Sequence, residues 1–529
     1  MQPLPSRSAI AACAGGALGF AVAIVARSQA AAVLAGALLT GVACAFALTL
    51  PLAARLRRER LEFVWWHAAA DSALSGGAVV AGAPFELRCR IRNRSARSVQ
   101  LAWLAPVAPE LLVEREPGPT DVWLAPSART EFAFRYTAKA CGRVVLQGLA
   151  GTTPGPCGLF LAPLYFPSPL VVEVLPRAAL RSAALAWRVA GAPSAQAPQH
   201  GFAPLRRPGG GSDLRELREH RPGDPFKSIA WKASARAGKL IVREVEREVQ
   251  ETLYVVLDAG ASMRGGLPGE RMLDRGIEFA ALATREALEH GDRVGLVITD
   301  ARILSHVAPR DGLAHAARIH AALLAATAVV DADLTEPDDD AVAAMVDRYL
   351  RHQGSAHARL AQRADAEELA MVAVRLLPAG TRHADIVASD AAHRVLRAFC
   401  FHRGIPLAHR AEVPPLARAG GLADALREAT GAARARRTML VVTDGAAMRP
   451  IDVLDPTLAM LRSRGHAVAF VFAAPVASGE VRTPRLDDHR RFHELRRHLA
   501  GRGFPLVSGA PEEALAVLLR RARDAARAA

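Results

Sequence analysis

Lysine is almost missing from this chain of 529 residues. Lys139, Lys227, Lys232 and Lys239 are the whole complement, which leaves 63 arginines (67 − 4). Aromatics are scarce as well, at 5%. The six cysteines (Cys13, Cys44, Cys89, Cys141, Cys157, Cys400) form no CxxC pair, and two lie in strongly apolar segments. A zinc ribbon and a disulfide scaffold are thereby excluded. No P-loop and no G-x-S-x-G is present, which removes the commonest nucleotide and hydrolase signatures. Low hydrophobicity, the mark of a disordered chain, is also absent, since 51% of residues are hydrophobic. The basic excess is +15 (67 − 52). Spread over this length it is dilute, so no specific nucleic-acid partner is expected. Length alone argues for several structural units.

What is present begins with two uncharged runs, Ser8–Ala26 and Ala30–Ala54, separated by Arg27, Ser28 and Gln29. As helices they would span about 28 and 37 Å, enough for a bilayer core of about 30 Å. A cleaved signal peptide is the competing reading of the first run, but a second span follows after three residues. The short link implies a hairpin, with Pro51 loosening the end of the second helix. Gly15 and Gly19 offer a GxxxG contact. Arg7 precedes the first span and Arg55, Arg57, Arg58 and Arg60 follow the second. The positive-inside rule then places both ends in the cytoplasm, giving a multi-pass inner-membrane protein with its C-terminal domains cytoplasmic. The lipid bilayer is thus one partner, and the Arg cluster can touch anionic headgroups.

Residues 61–177 read as a small β-sandwich. Phe85–Asn93, Thr130–Tyr136, Gly142–Gln147 and Leu170–Leu175 alternate or run apolar between turn residues. This domain reads as a spacer or docking module. Residues 178–250 read as a linker followed by an Arg-rich block. The linker, to Gly211, carries Arg206-Arg207-Pro208 and three glycines. In the block, Arg215, Arg218, Arg221, Asp224, Trp231, Lys232 and Arg236 are the candidate partner-binding residues, with Trp231 as the anchor. An exposed, salt-bridge-laced linker is the competing reading.

Residues 251–529 alternate apolar strands with helical text, which implies a doubly wound α/β domain. Its strands are expected at Thr252–Asp258, Arg293–Asp300, Thr438–Asp444, His466–Ala473 and Phe504–Val507. A short edge strand is expected within Ala301–Val307, and a helical insertion at about 331–413, in which Leu396–Leu407 reads as a helix followed by a strand. Asp258 and Asp444 close two strands at the edge where such sheets bind ligands. The loop Asp258-Ala-Gly260-Ala-Ser262 and Asp444 offer hard oxygens that suit Mg²⁺. A hydrolase built on this acidic edge is an alternative, but no nucleophile or base pattern accompanies it. Binding of nucleic acid or an anionic surface through the arginines is another.

Four stretches carry a resemblance: Leu214–Asp224, Ile229–Arg236, Leu240–Glu244 and Leu257–Met263. With them the chain resembles the bacterial membrane family called domain of unknown function 58. Its last domain resembles von Willebrand factor A domains, with their Asp-x-Ser-x-Ser metal loop. The resemblance implies a non-enzymatic protein-interaction module. Its partner would be a MoxR-type AAA+ ATPase, in maturation or remodelling of a membrane or envelope complex. It also implies a metal-ion-dependent adhesion site at Asp258, Ser262 and Asp444. Gly260 replaces one serine of that loop. At the threonine position Gly420-Gly421-Leu422 puts leucine, with Thr335 a distant substitute.

Remaining features read as structural. Asp331–Asp340 is acidic but lacks EF-hand spacing and reads as a solvated loop. His489 and His493 lack the glutamate of a zincin pair. Cys400, with His393, His402 and His409 nearby in sequence, reads as a buried helix cysteine. Leu518–Arg527 reads as a basic helix.

Overall fold

The computed structural model describes residues 2–57, 61–69, 79–115, 121–178, 204–221, 226, 229–248, 251–353, 365–381, 383–411, 413–431, 436–473 and 486–508. Leu518–Arg527 and Asp224 lie outside them. The chain forms two compact units, residues 1–174 with 330–407, and 175–329 with 408–529.

In the first unit a short strand, β1 (Leu4–Pro5), leads into α1 (Arg7–Ala26) and α2 (Gln29–Arg57). Both helices are long and apolar enough to cross a membrane. Their outward residues are apolar, with Val25 87% and Leu34 72% exposed, as a lipid-facing surface requires. Gly19 meets Ala35 and Gly16 meets Leu39, while Gly15 is looser, so the close approach runs through Gly16 and Gly19. The GxxxG reading is corrected in that respect. So is the effect of Pro51, since α2 continues through it to Arg57. The Thr49 hydroxyl, two residues earlier, donates to the Ala45 carbonyl at 2.6 Å.

The β region follows as β2 (Leu61–Ala69), β3 (Val79–Val80), β4 (Pro84–Asn93), β5 (Val99–Leu104), β6 (Leu111–Arg115), β7 (Asp121–Leu124), β8 (Arg129–Ala138), β9 (Gly142–Pro154) and β10 (Phe160–Leu175). One sheet runs β1-β10-β9-β5-β7 with β3 on β10, and the other β2-β4-β8-β6. Along β4, Phe85, Leu87, Cys89, Ile91 and Asn93 alternate inward, the period-2 pattern of a half-buried strand. The first four share one core with Leu101, Trp103, Leu146, Leu164 and Val172 of the other sheet, which makes the region a sandwich.

The helical insertion belongs to this same unit. It contains α7 (Asp339–His352), α8 (Ala366–Leu376) and α9 (Ala391–Arg403). Val346, Leu369, Leu396 and Phe399 form its core. The Gly404–Leu407 stretch, expected as a strand, forms none. Ile405 and Leu407 pack instead on the insertion core. The insertion docks on β9. Gln147 donates to the Arg403 carbonyl at 2.5 Å and accepts from the Tyr349 hydroxyl at 2.8 Å. The Arg143 guanidinium lies 5.1 Å from the Phe401 ring centroid.

In the second unit β11 (Pro204–Glu219) pairs with β12 (Ile241–Glu248), and α3 (Trp231–Ala237) stands between them. Residues 204–211, read as linker, are therefore strand. Register shifts at Leu205/Pro208 and Gly209/Leu214 absorb the proline and the glycines. The remaining elements are β13 (Thr252–Asp258), α4 (Ala261–Arg264), α5 (Met272–Glu289), β14 (Arg293–Thr299), β15 (Ile303–Arg310), α6 (Leu313–Ala325), α10 (Pro415–Thr430), β16 (Thr438–Thr443), α11 (Asp455–Ser463), β17 (Ala467–Phe472), α12 (Leu486–Gly501) and β18 (Leu506–Val507). The sheet order is β15-β14-β13-β16-β17-β18, parallel except for the edge strand β15. Tyr254 and Val256 pack with Leu422 and Leu426 of α10 on one face. A Cβ on Gly276 of α5 would lie 2.9 Å from Leu257, which points to the other. Helices thus cover both faces of an α/β sheet whose central strands β13, β14, β16 and β17 are mostly apolar and buried.

Candidate functional site

Three neighbouring strands end in aspartate. Asp258 closes β13, Asp300 follows β14 and Asp444 follows β16. Because β13 lies between the other two, the carboxylates gather at the C-terminal edge, where the strand order reverses. None is more than 2% exposed. Asp258 accepts the Gly260 N–H at 3.0 Å and the Thr443 hydroxyl at 2.8 Å. Thr443 in turn takes the Gly445 N–H at 3.0 Å, and Asp444 the Ala446 N–H at 2.9 Å. Burial, followed by the nearby Asp444, holds the Asp258 carboxyl well above the ordinary carboxylate range.

Sequence reading had singled out Asp258 and Asp444 but passed over Asp300. The signal was there: Val-Ile-Thr-Asp300 repeats the pattern of Val-Val-Thr-Asp444. Asp300 is set apart by its partners. Burial alone would raise its pKa, but the His409 hydrogen bond, the His409 charge, Arg418 and Arg264 outweigh it and bring it below the usual value. His409 Nε2 lies 3.0 Å from Asp300 Oδ2, and its Nδ1 lies 2.9 Å from the Arg410 carbonyl. Both ring nitrogens thus lie within hydrogen-bond reach of oxygen atoms.

Two arginines complete the cluster. Arg418, in the first turn of α10, donates from Nη2 to Ser262 Oγ at 2.7 Å, and its Nε stands 3.8 Å from Asp300 Oδ1. Arg264 donates to the carbonyls of Ala259 at 2.7 Å and Ala326 at 2.8 Å. Burial lowers its pKa to about 10, against the pull of Asp300, Asp258 and Asp274. Gly421 lets α10 come this close. A Cβ there would overlap the Asp300 carbonyl oxygen and lie 2.7 Å from the Ala301 carbonyl carbon.

The hydroxyls that an Mg²⁺ site would use here are engaged, absent or remote. The Ser262 hydroxyl is engaged by Arg418. Gly260 supplies no hydroxyl, and a Cβ there would collide with the Arg418 guanidinium. Leu422, at the threonine place, is buried in the core. Thr335 lies in the first unit, where it donates to the Asp331 carbonyl at 2.8 Å and accepts from Arg397 at 2.8 Å. Among the described residues no group of three or more His, Cys, Asp or Glu is arranged to hold a metal ion. The donor set does not fit the ion.

The Arg-rich block has its own geometry. Arg215 and Arg218 lie on β11, and Arg221 follows it. Ala230 donates its N–H to the Ile241 carbonyl at 2.8 Å, and the Ile241 N–H donates to the buried Ser234 hydroxyl at 2.8 Å. These bonds tie α3 to β12 and hold Trp231 outward. Trp231 is 59% exposed and Phe226 75%, with ring centroids 6.2 Å apart. Lys232 and Arg236 are exposed on the same helix. Phe226 was not among the sequence candidates, although an aromatic five residues before Trp231 was visible.

Cys400 is fully buried in the insertion core, and burial pushes its thiol up to about 12, which makes it an inert packing residue. His493 lies on α12 next to Phe492, and His498 stands 3.5 Å from Asp455.

Residues 216–356 match the model of the family described as "Protein of unknown function DUF58". Two curated relatives are the uncharacterized protein Mb1516 of Mycobacterium bovis and the uncharacterized protein Rv1480 of Mycobacterium tuberculosis. Each is 29% identical over 108 residues, which is 20% of this chain and 34% of the relative. The chain thus spans about a third of the length of the relatives it matches. Among solved structures, native alpha-2-macroglobulin of Escherichia coli superposes with a TM-score of 0.17 at 13% identity, covering 87% of this chain and 25% of that one. A likeness at that score carries no argument.

Proposed function

We propose that this member of the DUF58 family is a membrane-anchored, non-enzymatic interaction protein that docks a MoxR-type AAA+ ATPase. The pair would serve the maturation or remodelling of a membrane or envelope complex. The two apolar helices support the anchor, as a multi-pass hairpin in the inner membrane. The arginines around them support cytoplasmic placement of both ends. Docking rests on one observation, the exposed Phe226–Trp231 pair beside Lys232 and Arg236, fixed to β12 within the family-matched stretch. Paired aromatics held rigidly on a surface are the usual anchors of protein interfaces, with cations on the rim for an acidic partner. The resemblance to the family supplies the identity of the partner.

The test is capture of the ATPase from a detergent extract by the full-length protein. Phe226→Ala with Trp231→Ala should weaken capture. A hot spot is worth about 2 kcal/mol or more, roughly a thirtyfold loss of affinity. Recovery of no ATPase by the wild type, or equal recovery by the double variant, would sink the reading.

A further inference from the structure

The three strand-end aspartates of the second unit present a concentrated negative charge that something must balance. In an adhesion-type site a divalent ion does so, and here the donor set does not fit one. Its place is taken from within the chain. Arg418 enters from α10, and its Nη2 reaches Ser262 Oγ at 2.7 Å. The same guanidinium fills the space where a side chain at position 260 would stand, because a Cβ on Gly260 would collide with it. Its Nε lies 3.8 Å from Asp300 Oδ1, and its charge acts on both Asp258 and Asp300. The Arg418 Nε and Asp300 Oδ1 are both buried without a hydrogen-bond partner, so they depend on each other's charge. A second guanidinium, Arg264, stands behind the loop, and the His409 ring lies against Asp300. An added divalent ion would meet the Arg418 guanidinium in the same space, and two buried like charges repel strongly in a low-dielectric interior.

We infer that the Arg418 guanidinium is the resident cation of this strand-end site and stands where a divalent ion would otherwise bind. Gly260 and Arg418 then form one exchange: loss of the serine opens the space and the arginine occupies it. Gly421 belongs to the same arrangement, since a Cβ there would overlap the Asp300 carbonyl oxygen and push α10, with Arg418, off the Asp300 loop. The site is closed to divalent cations by construction, and any partner contact at this edge does not pass through a metal-bound carboxylate. This inference does not depend on which partner the protein docks.

The experiment is Mn²⁺ titration of the full-length protein in detergent, followed by electron paramagnetic resonance of the free ion. Wild type should show no saturable binding in the millimolar range. Arg418→Ala combined with Gly260→Ser should gain one saturable site, at least about tenfold tighter than any wild-type binding. Adding Asp258→Asn should abolish it. Arg418→Gln with Gly260→Ser, which keeps a polar stem but removes the charge and withdraws from the space, serves if the alanine variant does not fold. Saturable, Asp258-dependent binding by the wild type overturns the inference. So does a folded variant pair that gains no site.

Discussion

Arg397 gives the sharpest test of how the insertion is held together. It is the largest fully buried side chain, and it donates in four directions. Its partners are Asp339 Oδ1 at 2.5 Å, the Val330 carbonyl at 2.7 Å, Thr335 Oγ1 at 2.8 Å and the Pro337 carbonyl at 3.0 Å. One guanidinium on α9 thus organises the whole acidic entry into the insertion, residues 330–339, which sequence reading took for a solvated loop. Replacing it by methionine keeps most of the volume but strands the Asp339 carboxylate and three neutral acceptors. Breaking a buried pair from one side costs about 3–5 kcal/mol. That is a substantial part of a domain's total stability of about 5–15 kcal/mol. Hydrogen exchange on the full-length protein reads it directly. Protection of the α7 and α9 amides should fall by roughly a hundredfold to a few thousandfold for Arg397→Met. Adding Asp339→Asn should recover part of the loss, because the amide still accepts from the Ser389 N–H, now bonded at 2.7 Å, without an unpaired charge. A fall of less than tenfold, or a double variant no better than the single one, would refute this account of Arg397.

Other predictions follow the same logic. His402 sits at the docking of the insertion on β9, where burial, then Arg143 and Arg403, lower its pKa from 6.5 to about 4. The folded state keeps it neutral while the unfolded chain protonates below about 6.5. Stability should therefore fall as pH drops from about 6.5 to about 4, by about 1–2 kcal/mol once solvent access is discounted. His402→Asn should remove that slope in the pH dependence of α9 exchange. The adjacent glycines of α10 should behave oppositely. Gly421→Ala forces α10 off the Asp300–Ala301 backbone and should cost about 2 kcal/mol or more in denaturant unfolding, whereas Gly420 faces open space and Gly420→Ala should be neutral or mildly stabilising. In the hairpin, Gly16→Val should lower the detergent melting temperature more than Gly15→Val, since only Gly16 lies hard against Leu39. An alkaline phosphatase fused to the C-terminus should be inactive and a green fluorescent protein there bright; the reverse would overturn the cytoplasmic assignment.

What could be read from the sequence was what short-range pattern encodes. The β4 alternation and the apolar runs of β13, β14, β16 and β17 appear where periodicity put them, and Asp258 and Asp444 announce themselves by ending apolar strands. The glycines at 209–211 misled because Gly normally marks chain freedom, whereas here they sit in a strand whose register shifts tolerate them. The strand expected at 404–407 failed for a different reason. Ile405 and Leu407 are apolar because they cover the insertion core, and burial of that kind needs no ladder.

The pairings that define the site had no local signal at all. Arg418 is one arginine among 63, in ordinary helical text, and its partner Asp300 is 118 residues away (418 − 300). Only the sheet order, which sets β14 beside β13 and lays α10 across both, brings them within reach. The lysine scarcity acquires a physical sense at this point. A lysine at 418 would bring a compact, strongly hydrated charge with no planar fork. The arginine instead can donate to Ser262 while its charge is spread toward Asp300 and Asp258. At 397 the same geometry serves four acceptors from one side chain. Whatever produced the arginine bias across the chain, at 397 the guanidinium is required by the directions of its four partners, and lysine would leave acceptors unmet there.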